Sequence, residues 1–243
     1  MISQLVLVRH GESAGNEAAA AARLAGAEAL QVAHRDPDVP LTTVGLEQAA
    51  ALGKGLGRLL ADQRPTAVWS SPYIRAMQTA QLAVAAAGGG LSLRYDERLR
   101  DRELGVLDLL TREGVANRFP LEAQRRAWLG KFYHRPPGGE SWADVALRVR
   151  SFLTDLQGSA VVERAVLIAH DAVVMLVRYV LEGLDEHALL QIGARDPVRN
   201  ASITVLDRTD EPDWQLTRYN DVSHLVHGGA PVTQHGGEPD VSH

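Results

Sequence analysis

"QLVLVRHGESAGNE" (residues 4–17) runs from an unbroken apolar stretch straight into Arg9, His10, Gly11 and Glu12. Leu5–Val8 shows no polar alternation, which is the pattern of a strand covered on both faces. Strands of that kind end in turns, and turns favour small or polar residues. An arginine beside a histidine at that point calls for a chemical reason.

Three further runs resemble it: Ala67–Trp69, Ala165–Ala169 and Ile203–Leu206. Between them the apolar spacing changes to three and four residues. In "TTVGLEQAAALGKGLGRLLAD" (42–62) Leu46, Ala49, Ala50, Gly53, Leu56, Leu59 and Leu60 repeat in that way, and so do Val145, Val149, Phe152, Leu153 and Leu156 in "SWADVALRVRSFLTDL". "DAVVMLVRYVLEGL" (171–184) is apolar almost all round and predicts a buried helix. Strands alternating with helices predict an α/β protein with a mainly parallel sheet. "GKGLGR" (53–58) looks like a nucleotide loop, but it lies inside a helical period with no strand before it and is read as structural.

Residues 108–137 form a less regular, helical insertion rich in arginine and aromatics, closed by "RPPGGES"; insertions of this kind cap sites. The Gly/Pro-rich stretch 228–243 is expected to be a disordered tail, leaving 1–227 as one folded domain. The chain has 243 residues, 45% of them hydrophobic, enough for one substantial core. A net charge of −5 and the lack of a basic run argue against nucleic acid as a partner. Zero cysteines exclude disulfides, thiolate catalysis and cysteine-based zinc sites. No leader-like N-terminus and no apolar run of about 18 residues is seen, so a soluble, cytoplasmic protein without a membrane partner is expected.

Ligands of open α/β sheets bind beyond the carboxyl ends of the strands. The first strand end carries Arg9 and His10, with Asn16 shortly after. "SSPYIRAMQT" (70–79) follows the second and puts Arg75 in the first turn of a helix; "RAVLIAH" (164–170) delivers His170. A single strand-end histidine is more often structural than catalytic. A single arginine in a first helical turn is usually a surface residue, and the helix dipole disfavours it there. Together they make sense around an anion: two guanidiniums and a helix N-terminus suit a tetrahedral dianion. One neutral imidazole can then attack phosphorus, while the other, protonated, stabilises the transferring oxygens. Four cationic groups would repel a metal ion, so no cofactor is expected. The leaving alkoxide needs a proton. In "LRDRELGVLD" (99–108) Asp101 and Glu103 share one face of an extended segment, so either can supply it; the competing reading is a set of surface pairs with Arg100 and Arg102.

These pieces, "VRHGESAGN", "LTTVG", "SSPYIRAMQTA", "LRDRELG", "GGES" and a strand-end histidine, resemble in order the histidine phosphatase (phosphoglycerate mutase-like) superfamily from residue 5 to about 206. The resemblance implies a three-layer α/β/α sandwich and a phosphohistidine intermediate. It implies His10 as nucleophile, a phosphate pocket of Arg9, Arg75 and His170, and Asn16 lining it. The family usually has glutamate four residues before the glycine of "LRDRELG"; here Asp101 stands there and is the expected acid, with Glu103 as the fallback. A second departure is Asp171, where the family commonly has glycine; its side chain is expected to point away from the phosphate. The implied activity is a metal-independent phosphatase of a small phosphorylated metabolite. The alternatives are a phosphoglycerate mutase, for which Arg112, Arg118, Arg125, Arg126, Lys131 and Arg135 would hold a second phosphate rather than form a solvated face, and a non-catalytic phospho-ligand binding module. His34, His134, His187, His224, His227, His235 and His243 have no matching context and are read as structural or exposed. An exposed sheet edge would allow a homodimer.

Overall fold

The computed structural model describes residues 2–62, 66–88, 90–158, 162–209 and 213–235. In chain order its strands are β1 (Gln4–Arg9), β2 (Thr66–Ser70), β3 (Ser92–Tyr95), β4 (Arg164–Ala169), β5 (Ile203–Arg208) and β6 (Trp214–Asp221). The helices are α1 (Ala14–Ala25), α2 (Thr43–Leu59), α3 (Ile74–Ala87), α4 (Arg112–Arg118), α5 (Pro120–Tyr133), α6 (Trp142–Gln157), α7 (Asp171–Leu181), α8 (Glu186–Arg195) and α9 (Ser223–Gly228). No helix among the described residues is long and apolar enough to cross a membrane.

The strands form one sheet in the order β3-β2-β4-β1-β5-β6. Pairs β1–β4, β2–β4 and β2–β3 are parallel; β5 runs antiparallel to both its neighbours. Two edge strands are absent from the sequence reading. β3 is largely exposed and β6 alternates between partial burial and exposure, so neither carries the continuous apolar run of a covered strand.

The central strands explain that run. Leu5 and Leu7 face a core shared with Val145, Val149, Phe152 and Leu153 of α6 and the apolar wall of α7. Val6 and Val8 face the other way, against Leu52 and Leu56 of α2 and Ala80 and Ala83 of α3. Period-two alternation thus feeds two cores, each apolar side chain contributing ~1.5–3 kcal/mol on burial. The "GKGLGR" glycines serve packing. A Cβ at Gly53 would stand 2.5 Å from the Ala83 carbonyl oxygen, and one at Gly57 would stand 2.9 Å from that of Ala87, so α2 and α3 cross at glycine distance.

Within 108–137 the chain forms α4 and α5. Arg118 pairs with Glu28 (2.8 Å) just past α1, and the Arg102 guanidinium donates to the His134 carbonyl (3.2 Å) beyond α5. The expectation of a disordered tail from 228 requires correction over its first part. α9 ends at Gly228, and residues 231–235 lie against the β1 end, held by Gln48 Nε2 donating to the Pro231 carbonyl (2.9 Å) and to Thr233 Oγ1 (2.9 Å). Polar side chains of the domain satisfy this backbone, which composition does not foretell; 236–243 lie outside the described residues.

Candidate active site

Parallel pairing sets β1, β4 and β2 level at their carboxyl ends. Arg9 lies opposite Ala169 and Ser70 opposite Ile168, so the chain leaves three adjacent strands at one height. His10 N–H then donates to the Ala169 carbonyl (2.9 Å) and Ser71 N–H to that of Ile168 (2.9 Å). The turn after His10 is wedged against the start of α2. A Cβ at Gly11 would stand 2.7 Å from the Gly45 carbonyl oxygen, and one at Gly45 would overlap the Glu12 carbonyl. Gly11 N–H donates to Thr79 Oγ1 (3.0 Å) and Glu12 N–H to Gln48 Oε1 (2.8 Å). The backbone around His10 is therefore fixed from α2 and α3.

The His10 ring is almost wholly buried. Its Nδ1 donates to the Gly11 carbonyl (2.6 Å), which selects the tautomer with a lone pair on Nε2. Burial, then Arg75, His170 and Arg9, push its pKa well below the usual histidine value, so the imidazole stays neutral. His170 meets it edge-on, ring centroids 5.2 Å apart. The fully buried His170 hydrogen-bonds through Nε2 to Ser71 Oγ (2.8 Å), and its Nδ1 lies 3.2 Å from Asp101 Oδ2. That same carboxylate oxygen accepts from Arg75 Nη2 (3.1 Å), and Asp36 closes the other side of Arg75 with its carbonyl (2.6 Å) and carboxylate (3.1 Å). Burial would raise the Asp101 pKa, but His170, Arg75 and the Arg102 N–H outweigh it and hold the carboxyl well below the usual range. Burial likewise works against the Arg75 charge and is overcome by Asp101 and Asp36, leaving the guanidinium pKa raised.

Of the residues expected from sequence, His10, Arg75, Asp101 and His170 form one contiguous cluster. Arg9 is buried beside them, and two of its nitrogens face backbone: Nη1 donates to the Val198 carbonyl and Nη2 to that of His235 (3.0 Å). Burial lowers its pKa, opposed by Asp171 and Asp101. Asn16 acts first on its own helix, closing a capping box with Ser13, and its Oδ1 accepts from Asn200 Nδ2 (3.1 Å), a nitrogen also 3.2 Å from the His10 carbonyl. Glu103 is held by the Tyr73 hydroxyl (2.7 Å). One oxygen of Asp171 accepts from Ala172 N–H (2.8 Å), so its carboxylate is engaged by the first turn of its own helix. The sequence reading did not find Asp36, Gln48, Ser71, Tyr73, Asn200 or Thr233. It also set His235 aside, whereas His235 Nε2 lies 2.8 Å from Glu12 Oε2. Tyr73 and Ser71 lie inside the quoted "SSPYIR"; for the others no local signal exists. α3 and α7 both begin here, and neither N-cap residue, Tyr73 or His170, caps its helix with its side chain; apart from the Ala172 N–H taken by Asp171, their first N–H groups suit an anion.

The histidine phosphatase superfamily (branch 1) matches residues 5–222, a span running from β1 through β6. A 2,3-bisphosphoglycerate-dependent phosphoglycerate mutase of Methylobacterium radiotolerans is 33% identical over 213 residues, covering 84% of this chain and 93% of its own. The metal-independent phosphoserine phosphatase of Arabidopsis thaliana is 29% identical over 230 residues, covering 92% and 84%. Among solved structures, mycobacterial glucosyl-3-phosphoglycerate phosphatase superposes with a TM-score of 0.70 at 28% identity, covering 90% of this chain and 99% of that one. With the level strand ends, the His10–His170 pair and the Arg75 carboxylate clamp inside the matched span, the chain belongs to the histidine phosphatase superfamily, branch 1.

Proposed function

We propose that the chain is a metal-independent phosphomonoesterase of a small phosphorylated metabolite, working through phosphoryl transfer to His10 Nε2. The observation that carries this reading is the His10 ring itself: neutral, its Nδ1–H tied to the Gly11 carbonyl, its Nε2 lone pair without a hydrogen bond among the described residues, beside Arg75, Asp101 and His170. The Arg9 Nε–H, buried and without a hydrogen-bond partner among the described residues, supplies a further donor for a ligand oxygen.

In the first step the Nε2 lone pair attacks phosphorus and the P–O ester bond breaks. The departing alkoxide takes a proton from the Asp101 carboxyl. Asp101 is held ionised by His170 and Arg75, so the proton arrives on the phosphomonoester monoanion and passes by way of Asp101 to the departing oxygen as the P–O bond breaks. Arg75, Arg9 and His170 offset the charge on the equatorial oxygens. In the second step Asp101, now a carboxylate, takes a proton from water; the water oxygen attacks phosphorus, the P–N bond breaks, and phosphate leaves with His10 restored.

The mutase reading has support from the 33% identical relative. Against it, Arg118, Arg125 and Arg135 of the insertion are engaged with Glu28, Glu122 and Asp144, and Lys131 lies over the Trp142 ring (5.0 Å), so these four are occupied within the protein. Phosphate release from p-nitrophenyl phosphate in chelator, wild type against His10→Ala, tests the proposal. Release by the wild type alone supports it. Equal or absent release in both refutes it, and a mutase assay with a bisphosphorylated primer then decides the second reading.

A further inference from the structure

Among the described residues, the segment carrying both candidate acids pairs with no strand. It runs between two single 3-10 turns, Glu97–Leu99 and Gly105–Leu107, so its backbone polar groups must find other partners. They find one ion pair. Arg148, on α6, donates from Nη1 to the carbonyls of Arg98 (2.7 Å) and Arg100 (2.9 Å), and from Nη2 to that of Asp101 (3.0 Å). Its remaining two N–H groups go to Glu140: Nε to Oε1 (3.0 Å) and Nη2 to Oε2 (3.0 Å). All five guanidinium donors are used. Glu140 completes the frame. Its Oε2 accepts from the Glu103 N–H (3.2 Å), its Oε1 from Arg100 Nη2 (2.7 Å), and its backbone N–H donates to the Glu103 carbonyl (2.9 Å). Both side chains are largely shielded, at 10% and 15% exposure. The pair therefore grips the backbone at Arg98, Arg100, Asp101 and Glu103, on both sides of the carboxylate that meets Arg75 and His170.

We propose that Arg148 and Glu140 are positioning residues that hold the Asp101 carboxyl at the distance from which it protonates the leaving group. The inference rests on the reading of Asp101 as the acid given above. It follows from geometry specific to arginine: three carbonyls and a carboxylate are met by one planar fork, which a lysine ammonium, with three donors on one nitrogen, does not reproduce.

The test compares kcat/KM for glycerol phosphate, whose alkoxide must be protonated as it leaves, with kcat/KM for p-nitrophenyl phosphate, whose phenolate leaves without that help. The variants are Arg148→Lys and Glu140→Gln, with Asp101→Asn as reference. Because kcat/KM reports steps up to phosphoryl transfer, and the ratio of two substrates is independent of the fraction folded, general destabilisation does not move it. The expected result is a fall of about 10- to 100-fold for the alkyl ester, the scale of a misplaced catalytic group, with the aryl ester changed by less than about threefold; Asp101→Asn shifts the ratio in the same direction. An unchanged ratio in Arg148→Lys and Glu140→Gln, with Asp101→Asn shifted, overturns the positioning role and leaves the acid assignment standing. An unchanged ratio in Asp101→Asn overturns the acid assignment and the positioning role with it.

Discussion

Replacing Asp101 by asparagine is expected to move catalysis and phosphate binding in opposite directions. The substitution keeps an acceptor of nearly the same shape, 3.1 Å from Arg75 Nη2 and 3.2 Å from His170 Nδ1, but removes one negative charge and the transferable proton. Loss of general acid catalysis lowers kcat/KM on an alkyl phosphate by about 10²–10⁴-fold, or roughly 2.7–5.4 kcal/mol of transition-state stabilisation. Loss of the charge acts the other way on the ground state. A carboxylate about 5 Å from a bound phosphoryl group repels it by about 3 kcal/mol at an effective dielectric near 20. Asp101 keeps 23% of its side chain exposed, so solvent screening cuts that to about 1 kcal/mol, a factor of about five in affinity. Steady-state kinetics on glycerol phosphate, with inorganic phosphate as competitive inhibitor, reads both quantities. A large fall in kcat/KM with tighter phosphate inhibition supports the reasoning. Unchanged kcat/KM, or weakening of both, refutes it; if Glu103→Gln then shows the fall, the fallback carboxylate is the donor.

Two further outcomes follow from the same contacts. Burial holds the pKa of His10, His134 and His224 below the ordinary 6.5, so the unfolded chain takes up protons that the folded one does not. Stability from these groups is complete above pH 6.5 and is lost as pH falls below it, at up to about 1.4 kcal/mol per pH unit for each histidine; His10→Gln removes one share. Urea unfolding at three pH values between 5 and 7 measures this, and equal slopes in the two proteins would contradict it. Ending the chain after Ala230 removes the carbonyl held by Arg9, the Gln48 contacts and the His235–Glu12 pair. The cost is about 1–3 kcal/mol, read as a Tm lower by about 2–4 °C per kcal/mol, together with a raised KM because Arg9 loses a fixed partner. A truncated protein with wild-type Tm and KM would show that the segment does neither.

The sequence alone determined the strands that are buried on both faces. Leu5–Val8 and Ala165–Ala169 must be apolar at every position when two helix layers cover them, and that leaves a local trace. It also determined which residues leave those strands, because a charged residue ending a buried strand is a local signal too: His10, His170, Arg9 and the helix-turn Arg75 were all legible. Edge strands β3 and β6 were not, since a half-exposed strand needs no such run. The direction of β5 was not either, because its pattern is the same whichever way it pairs. Only the tertiary structure decided what the site residues touch. Asp101 meets Arg75 across 26 residues, and Asn200 meets Asn16 across 184. Such contacts are set by strand register and by the α2–α3 packing that seats the His10 turn, and no short-range period records them. The choice between Asp101 and Glu103 shows the limit. Alternation placed both on one face, and only the folded chain put the first against Arg75 and His170 and the second under the Tyr73 hydroxyl. The remote end of the chain shows it again: Thr233 and His235 reach the β1 end because Gln48, Arg9 and Glu12 satisfy their polar groups there, a match between segments more than 180 residues apart that composition reads only as Gly/Pro-rich chain.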